Sequence, residues 1–330
     1  MKKIISILLI FTLLLPLSAC GGKEETKSNE LKEITFVLDW TPNTNHTGIY
    51  VAQEKGFYEE QGLKVNIVQP PEDGAESLVA GGKAEYGVSF QDIMATAWSK
   101  EDPLPITAIL AIINHNTSGI LSGKDKNILS PKDMQGHNYA TWDDPIEQAI
   151  LKNVIEKDGG DFSKVEMLPS TVTDAVSALQ TNVDSLWVYY AWDGIATEVK
   201  EVPTNYFEFI DINPVFDYYS PFIIGNNKYM EEHPEEVKAF LKATVEGYTF
   251  AMEHPEEAAE ILCKANPEID EELAKASQVW LADKYQEDAP RFGEFDKDRW
   301  NNFYQWLWEE KLIEREIEQD FGFTNEFLPE

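Results

Sequence analysis

Between Ile34 and Ile113 short apolar runs alternate with segments of helical spacing, and this alternation restricts the possible folds more than any other feature. The runs are Ile34–Leu38, Leu63–Val68, Tyr86–Phe90 and Ile106–Ile113, with the β-branched and aromatic residues that buried strands favour. Helices are expected through Tyr50–Gln53, from Ala75 to Val79 and from Ile93 to Trp98. Strands interleaved with helices imply an α/β fold on a mainly parallel sheet. In such sheets ligands gather where strands end and helices begin.

The first of these junctions, Asp39–Thr47, is polar and turn-forming, with Pro42, Asn43, Thr44 and Asn45. Thr47 is the expected N-cap of the following helix, and Gly56 suits its C-terminal end. Trp40, Asn43 and His46 are therefore candidate ligand contacts, joined by Phe90, Gln91 and Asp92 after the third strand. His46 reads as a hydrogen-bonding or structural residue ahead of a metal ligand.

A polar stretch after Leu121 places a crossing into a second unit near residue 122. There the alternation restarts: strands at His137–Thr141, Val165–Leu168 and Leu186–Tyr190, with helices over Ile146–Asp158 and Thr173–Leu179. Residues 220–225 read as the return, and from Lys228 the pattern is helical. Roughly 310 residues follow the N-terminal segment, too many for one simple core and suited to two lobes. The expected division is 31–121 with 220–330 for lobe one, and 122–219 for lobe two. GluHisProGluGlu occurs at 232–236 and again at 253–257, with Pro234 and Pro255 at the first-turn positions of two successive helices.

The second ligand-facing cluster is LeuTrpValTyrTyrAlaTrpAsp, 186–193. Alternation puts Trp187 and Tyr189 on one face of the strand, and Val188 and Tyr190 on the other. Tyr189, Tyr190, Trp192 and Asp193 are the candidates, with Trp187 assigned to the core. Glu147 is a second carboxylate candidate, although its place after Pro145 also suits dipole stabilisation of a helix start. Aromatic faces, amides and a carboxylate together suit a flat heteroaromatic ligand bearing an amine.

The chain carries 27 Lys+Arg against 59 Asp+Glu, a net charge of −32, which argues against nucleic acid and against adhesion to anionic lipid. Met1–Cys20 reads as a leader: Lys2 and Lys3, an apolar run Ile4–Leu15, then Leu17-Ser18-Ala19-Cys20 as a lipobox. Residues 1–19 would be removed and 20–30 would form a lipidated tether, with Cys20 anchoring an extracytoplasmic protein. Cys263 is then left alone, so no intramolecular disulfide is expected, and it reads as a buried small hydrophobe. Cys-x-x-Cys, His-Glu-x-x-His, GxGxxG and Walker patterns are missing, so no metal or nucleotide cofactor is expected.

LDWTPNTNHTGIYVAQEKGFYEEQGL (38–63), VAGGKAEYGVSF (79–90) and LWVYYAWDG (186–194) resemble the thiamine-pyrimidine-precursor family of periplasmic-type binding proteins. The resemblance covers nearly all of the chain after residue 30. It implies a two-lobed, type II periplasmic-binding-protein-like fold with a ligand cleft between the lobes. It implies a monomeric, non-catalytic receptor that binds a formylaminopyrimidine or hydroxymethylpyrimidine type of precursor and delivers it to an ABC permease. Trp40, Asn43, Tyr190 and Asp193 fall at matching motif positions, with aspartate where relatives often have glutamate. Two alternatives stay open. Eukaryotic pyrimidine synthases share the fold but use a pyridoxal phosphate carried on a lysine in the segment matching 86–92, which here has no lysine or histidine. Another flat amine-bearing solute, such as a flavin, could also be the ligand.

Overall fold

The computed structural model describes residues 31–170 and 172–330. The expected leader, the tether and Cys20 lie outside the described residues.

The first half of the chain lays down β1 (Lys32–Val37), α1 (Thr47–Glu54), α2 (Phe57–Glu60), β2 (Leu63–Val68), α3 (Gly74–Ala80), β3 (Tyr86–Ser89), α4 (Gln91–Trp98) and β4 (Ile106–Ala111). The middle supplies β5 (Ser118–Gly123), β6 (Asn138–Thr141), α5 (Pro145–Lys157), β7 (Glu166–Pro169), α6 (Ala175–Ala178), β8 (Ser185–Tyr189), α7 (Ile195–Val199), β9 (Thr204–Glu208) and α8 (Phe209–Ile212). Then come β10 (Phe222–Asn226), α9 (Asn227–Glu232), α10 (Pro234–Glu253), α11 (Pro255–Ala265), α12 (Glu271–Ala282) and α13 (Lys297–Glu309).

The strands form two five-stranded sheets, ordered β2-β1-β3-β10-β4 and β7-β6-β8-β5-β9. β1 runs parallel to β2 and β3, and β6 runs parallel to β7 and β8. β10 is antiparallel to both its neighbours, and so is β5. Each sheet is therefore mixed, with one strand opposed to the other four. In both cases it is the strand the chain enters on changing sheets. Two helix-flanked mixed sheets of this kind make a two-lobed, type II periplasmic-binding-protein-like fold.

The chain enters the second sheet at Ser118, earlier than the crossing expected near residue 122. Ser118–Gly123 pairs along both its edges, with β8 and β9, and buries Ile120 and Leu121. The polar residues that suggested a crossing begin only after that strand. The two crossings, 112–117 and 209–221, are bonded to each other. The Ile112 amide donates to the Pro221 carbonyl at 3.1 Å, and the Asn116 side chain donates to the Phe216 carbonyl at 2.9 Å. Arg299, in the first turn of α13, reaches both crossings, donating to Asn114 Oδ1 at 2.8 Å and lying 3.2 Å from Asp217.

The core of the first sheet is aromatic on both faces. Tyr86 stacks on Phe240 of α10 with centroids 4.0 Å apart, while Trp98 and Trp300 meet at 5.9 Å on the other side. α1 and α10 cross at Gly48 and Gly247, where a Cβ on Gly247 would lie 2.1 Å from the Gly48 carbonyl oxygen. That close approach lets α1 lie flat on α10 and fixes the loop before it.

Three local expectations change. Thr47 is the first residue of α1 and not its cap: a 3-10 turn at Thr44–His46 precedes the helix, and Asn43 caps that turn, its side chain accepting from the Asn45 amide at 2.9 Å. The helix expected over Thr173–Leu179 shrinks to Ala175–Ala178, because Asp174 caps it by accepting from the Ser177 amide at 3.0 Å. Cys263 is half-buried, not buried, on the flank of α11 whose Ile261 and Leu262 face the core. His233 and His254 immediately precede Pro234 and Pro255 at the starts of α10 and α11, without side-chain capping bonds.

Candidate ligand site

A cavity of about 510 Å³ opens between the two sheets. One wall comes from the first sheet: Phe90 at the end of β3, Asp92, Ile93 and Thr96 on α4, and Glu76 on α3. The facing wall comes from the second: Trp142 after β6, Asp144 and Glu147 at the start of α5, and Trp187 and Tyr189 on β8. Phe90 and Tyr189 face each other with ring centroids 6.0 Å apart, and Trp142 meets Trp187 at 5.7 Å. Four aromatic side chains thus enclose a slot suited to a flat ring, which stacks favourably on such faces.

Most of the polar groups around the slot are already committed. Glu147 accepts from the Tyr139 hydroxyl at 2.7 Å, the Thr141 hydroxyl at 2.8 Å and the Trp142 amide at 3.1 Å. It is buried scaffolding that ties β6 to α5. Asp144 caps the same helix, accepting from the Ile146 amide at 2.8 Å and the Glu147 amide at 3.0 Å. Glu76 accepts from the Ser89 hydroxyl at 2.5 Å; burial pushes its carboxyl up, against that bond. Tyr189 receives the Ser220 hydroxyl at 3.0 Å.

Asp92 is different. Burial pushes its carboxyl up to about 6, against the backbone amides of the helix start, and its Oδ1 is shut from solvent with no hydrogen-bond partner. The indole N–H of Trp187 on the opposite wall is likewise buried and unpartnered. Buried polar groups in folded proteins are nearly always paired, so an unpaired atom on each of two facing walls calls for a reason.

Of the residues expected from the sequence, Phe90, Asp92, Glu147 and Tyr189 line this cavity. Gln91 does not: its amide donates to the Trp300 carbonyl at 2.8 Å and accepts from the Tyr219 amide at 2.9 Å, locking α4 to α13 and to the return crossing. Asn43 and His46 hold their own turn. The Asn43 amide N–H donates to His46 Nδ1 at 3.2 Å, and His46 Nε2 lies 2.7 Å from Asp39 Oδ1. Trp40 stands 52 % exposed outside the cavity lining.

A π-helical turn at Tyr190–Gly194 carries Tyr190, Trp192 and Asp193 off the cavity lining. Tyr190 packs on Tyr206 at 4.6 Å and Trp280 at 5.5 Å, and its hydroxyl bonds to Glu198. Asp193 is pushed up to about 6 by burial first and by Asp174 second. Trp142, Trp187, Glu76 and Asp144 line the cavity as well, outside the candidates drawn from the sequence. Strand alternation groups Trp187 with Tyr189, and Trp142 follows a strand end as Trp40 does, so both carry a sequence signal for this place.

The architecture has solved counterparts. The alkanesulfonate-binding protein SsuA from Xanthomonas axonopodis pv. citri, bound to MOPS, superposes with a TM-score of 0.68 at 10 % identity, covering 89 % of this chain and 99 % of that one. By sequence, the model of the family described as NMT1/THI5 like matches residues 43–258, and the chain belongs to that family. It is 28 % identical to a formylaminopyrimidine-binding protein of Halalkalibacterium halodurans over 98 % of each chain. It is also 26 % identical to a 4-amino-5-hydroxymethyl-2-methylpyrimidine phosphate synthase of Legionella pneumophila over 90 % of this chain and 92 % of the relative.

Proposed function

We propose that the chain is the solute-binding component of an ABC importer, and that it takes up an aminopyrimidine precursor of thiamine. The observation that carries this reading is the slot between the sheets, walled by Phe90 and Tyr189 at one end and Trp142 and Trp187 at the other. Such faces suit a pyrimidine ring, and similarity along almost the full length to a formylaminopyrimidine-binding protein supports that ring class. Walls from different sheets mean that a bound ring draws the two lobes together, and the closed form is what a permease would dock. Anchorage through a lipid on Cys20 would hold the receptor at the outer face of the membrane.

The synthase relatives offer the competing reading. In the segment where the family's enzymes carry their lysine, this chain has Ser89, committed to Glu76. Lys100, the one lysine lining the cavity among the described residues, is exposed beyond the C-terminal end of α4. The residues favour capture without transformation. Isothermal titration with 4-amino-5-hydroxymethyl-2-methylpyrimidine and with its formylaminomethyl counterpart tests the reading, with one-to-one saturable binding expected. Recovery of the ligand by mass spectrometry should show it unchanged. Absence of binding by both, or a stoichiometric new pyrimidine product, would overturn it.

A further inference from the structure

The geometry points to a cavity that takes its ligand as a cation, with the Asp92 carboxylate as the counter-charge that receives the ligand's N–H. This rests on the reading of the cavity as a ring-binding site and adds the charge class of what enters it.

The first observation is the charge inventory of the walls. α4 presents Asp92 and, beyond its far end, the exposed Lys100; α3 presents Glu76; α5 presents Asp144 and Glu147. The other titratable groups packed near Asp92 are phenols: Tyr189 on β8, Tyr218 on the return crossing and Tyr304 on α13. Among the described residues, four carboxylates and no enclosed cation leave an anion without a partner and with strong repulsion.

The second is how the two helix starts at the cavity are used. Backbone N–H groups at a helix N-terminus are ready anion donors. At α5 those donors are already taken by Asp144 and Glu147 of the chain itself. At α4 the first turn carries Asp92, a negative group where an anion would sit. The cleft has filled its own anion positions.

The third is the unpaired Oδ1 of Asp92. Glu147, Asp144 and Glu76 each have protein donors, while Asp92 lines the cavity with one oxygen shut from water and unserved. The backbone amides of the helix start are the donors this carboxylate has, and among the described residues no protein cation stands beside it. An aminopyrimidine protonated on a ring nitrogen supplies a positive charge and an N–H for the free oxygen, through a charge-assisted bond about twice as strong as a neutral one.

The test uses the full-length chain and four probes: 4-amino-2-methylpyrimidine, its N-methylated pyrimidinium with fixed charge, benzamidinium, and benzenesulfonate. Titration at pH 7.5 in buffers of different ionisation enthalpy reads proton uptake. The neutral aminopyrimidine should take up close to one proton on binding, and the two fixed cations none. Benzenesulfonate should not bind. Affinity for the fixed cations should fall as the pH drops below about 6, where Asp92 takes a proton. Asp92→Asn should lower affinity for all three amine-bearing probes by about ten- to a hundred-fold. A melting temperature at or above wild type shows that the variant has folded; if it has not, the proton uptake of the wild type decides.

Binding of the aminopyrimidine without proton uptake, binding of benzenesulfonate, or unchanged affinity in Asp92→Asn overturns the inference while leaving a pyrimidine receptor standing. Asp92-dependent binding of benzamidinium with no binding of any pyrimidine does the reverse: the charge class holds and the pyrimidine reading falls. If none of the four probes binds, both fall.

Discussion

His115 and Asp217 lie on different crossings between the sheets, and the imidazole Nδ1 is 2.6 Å from the carboxylate Oδ2. His115 Nε2 lies 2.8 Å from Asp288, and Arg299 flanks the pair from α13. Charge in the hinge is therefore part of what holds the two crossings side by side.

The protonation of this cluster sets a pH dependence. The hydrogen bond with Asp217, working against burial, raises His115 above its ordinary value near 6.5. Burial works against Asp217, but the bond from His115 and the charge of Arg299 hold it below the usual carboxylate range. A raised histidine contributes stability that is full below its unfolded pKa and is lost as pH rises through the folded one. A lowered aspartate contributes above its unfolded pKa and loses that contribution as pH falls through the folded one. Both contributions are complete from about pH 5 to 6. Melting curves from pH 5 to 9 should show the wild type losing stability above that window relative to His115→Gln, which lacks this slope. Parallel curves would remove His115 from the hinge's pH response.

Asp92→Asn should stabilise the free protein while weakening it as a receptor. The carboxyl is raised from 3.8 to about 6, so its ionisation costs the fold on the order of 1–3 kcal/mol above pH 6. Because the folded pKa is raised, the fold is favoured below the unfolded value, and that advantage is lost as pH rises toward 6. Urea unfolding at pH 7.5 should show the gain, and at pH 4 it should vanish. A variant equally stable at both, or less stable at pH 7.5, would contradict the unpaired environment assigned to Asp92.

Glu147→Ala should do the opposite. It removes the acceptor of two side-chain hydroxyls and of the Trp142 amide inside a buried site. Loss of charged hydrogen bonds with donors left unsatisfied costs on the order of 3 kcal/mol. Chemical denaturation should report that loss, and Glu147→Gln, which keeps one acceptor oxygen, should recover part of it.

Trp142→Ala should lower pyrimidine affinity by about ten-fold, the worth of an aromatic face with its buried area, with little change in melting temperature. The side chain is 47 % exposed in the free protein, so little packing is forfeited. Tyr190→Phe should leave affinity within a factor of about three, because that ring packs on Trp280 and Tyr206 away from the cavity. Equal losses from the two would move the site toward the π-helical turn.

The periods of the sequence carried most of the architecture. Ile34–Leu38 and Tyr86–Phe90 read as strands because their apolar content is continuous, and the paired GluHisProGluGlu segments read as helix starts because proline is tolerated in a first turn. The mixed character of each sheet was not legible, since nothing local in SerGlyIleLeuSerGly or PheIleIleGlyAsn records strand direction. In the site, residue types were informative and their commitments were not. Asn43, His46, Gln91 and Glu147 each find protein partners, three of them outside the cavity lining, and only tertiary structure supplies those partners. The π-helical turn after Tyr189 defeated extrapolation from strand alternation, since an extra residue in the turn rotates everything that follows it.

The place of β10 has a consequence for the order in which the chain can be assembled. The second sheet is complete within one uninterrupted stretch, from Ser118 to Glu208, and can pair as soon as that stretch leaves the ribosome or the translocon. The first sheet cannot. β10 separates β3 from β4, so both strands wait with bare edges until residues 222–226 arrive, more than a hundred positions after β4. The half of the molecule that is made first is thus finished last, and its unpaired apolar edges are the part of the newborn chain that most needs shielding.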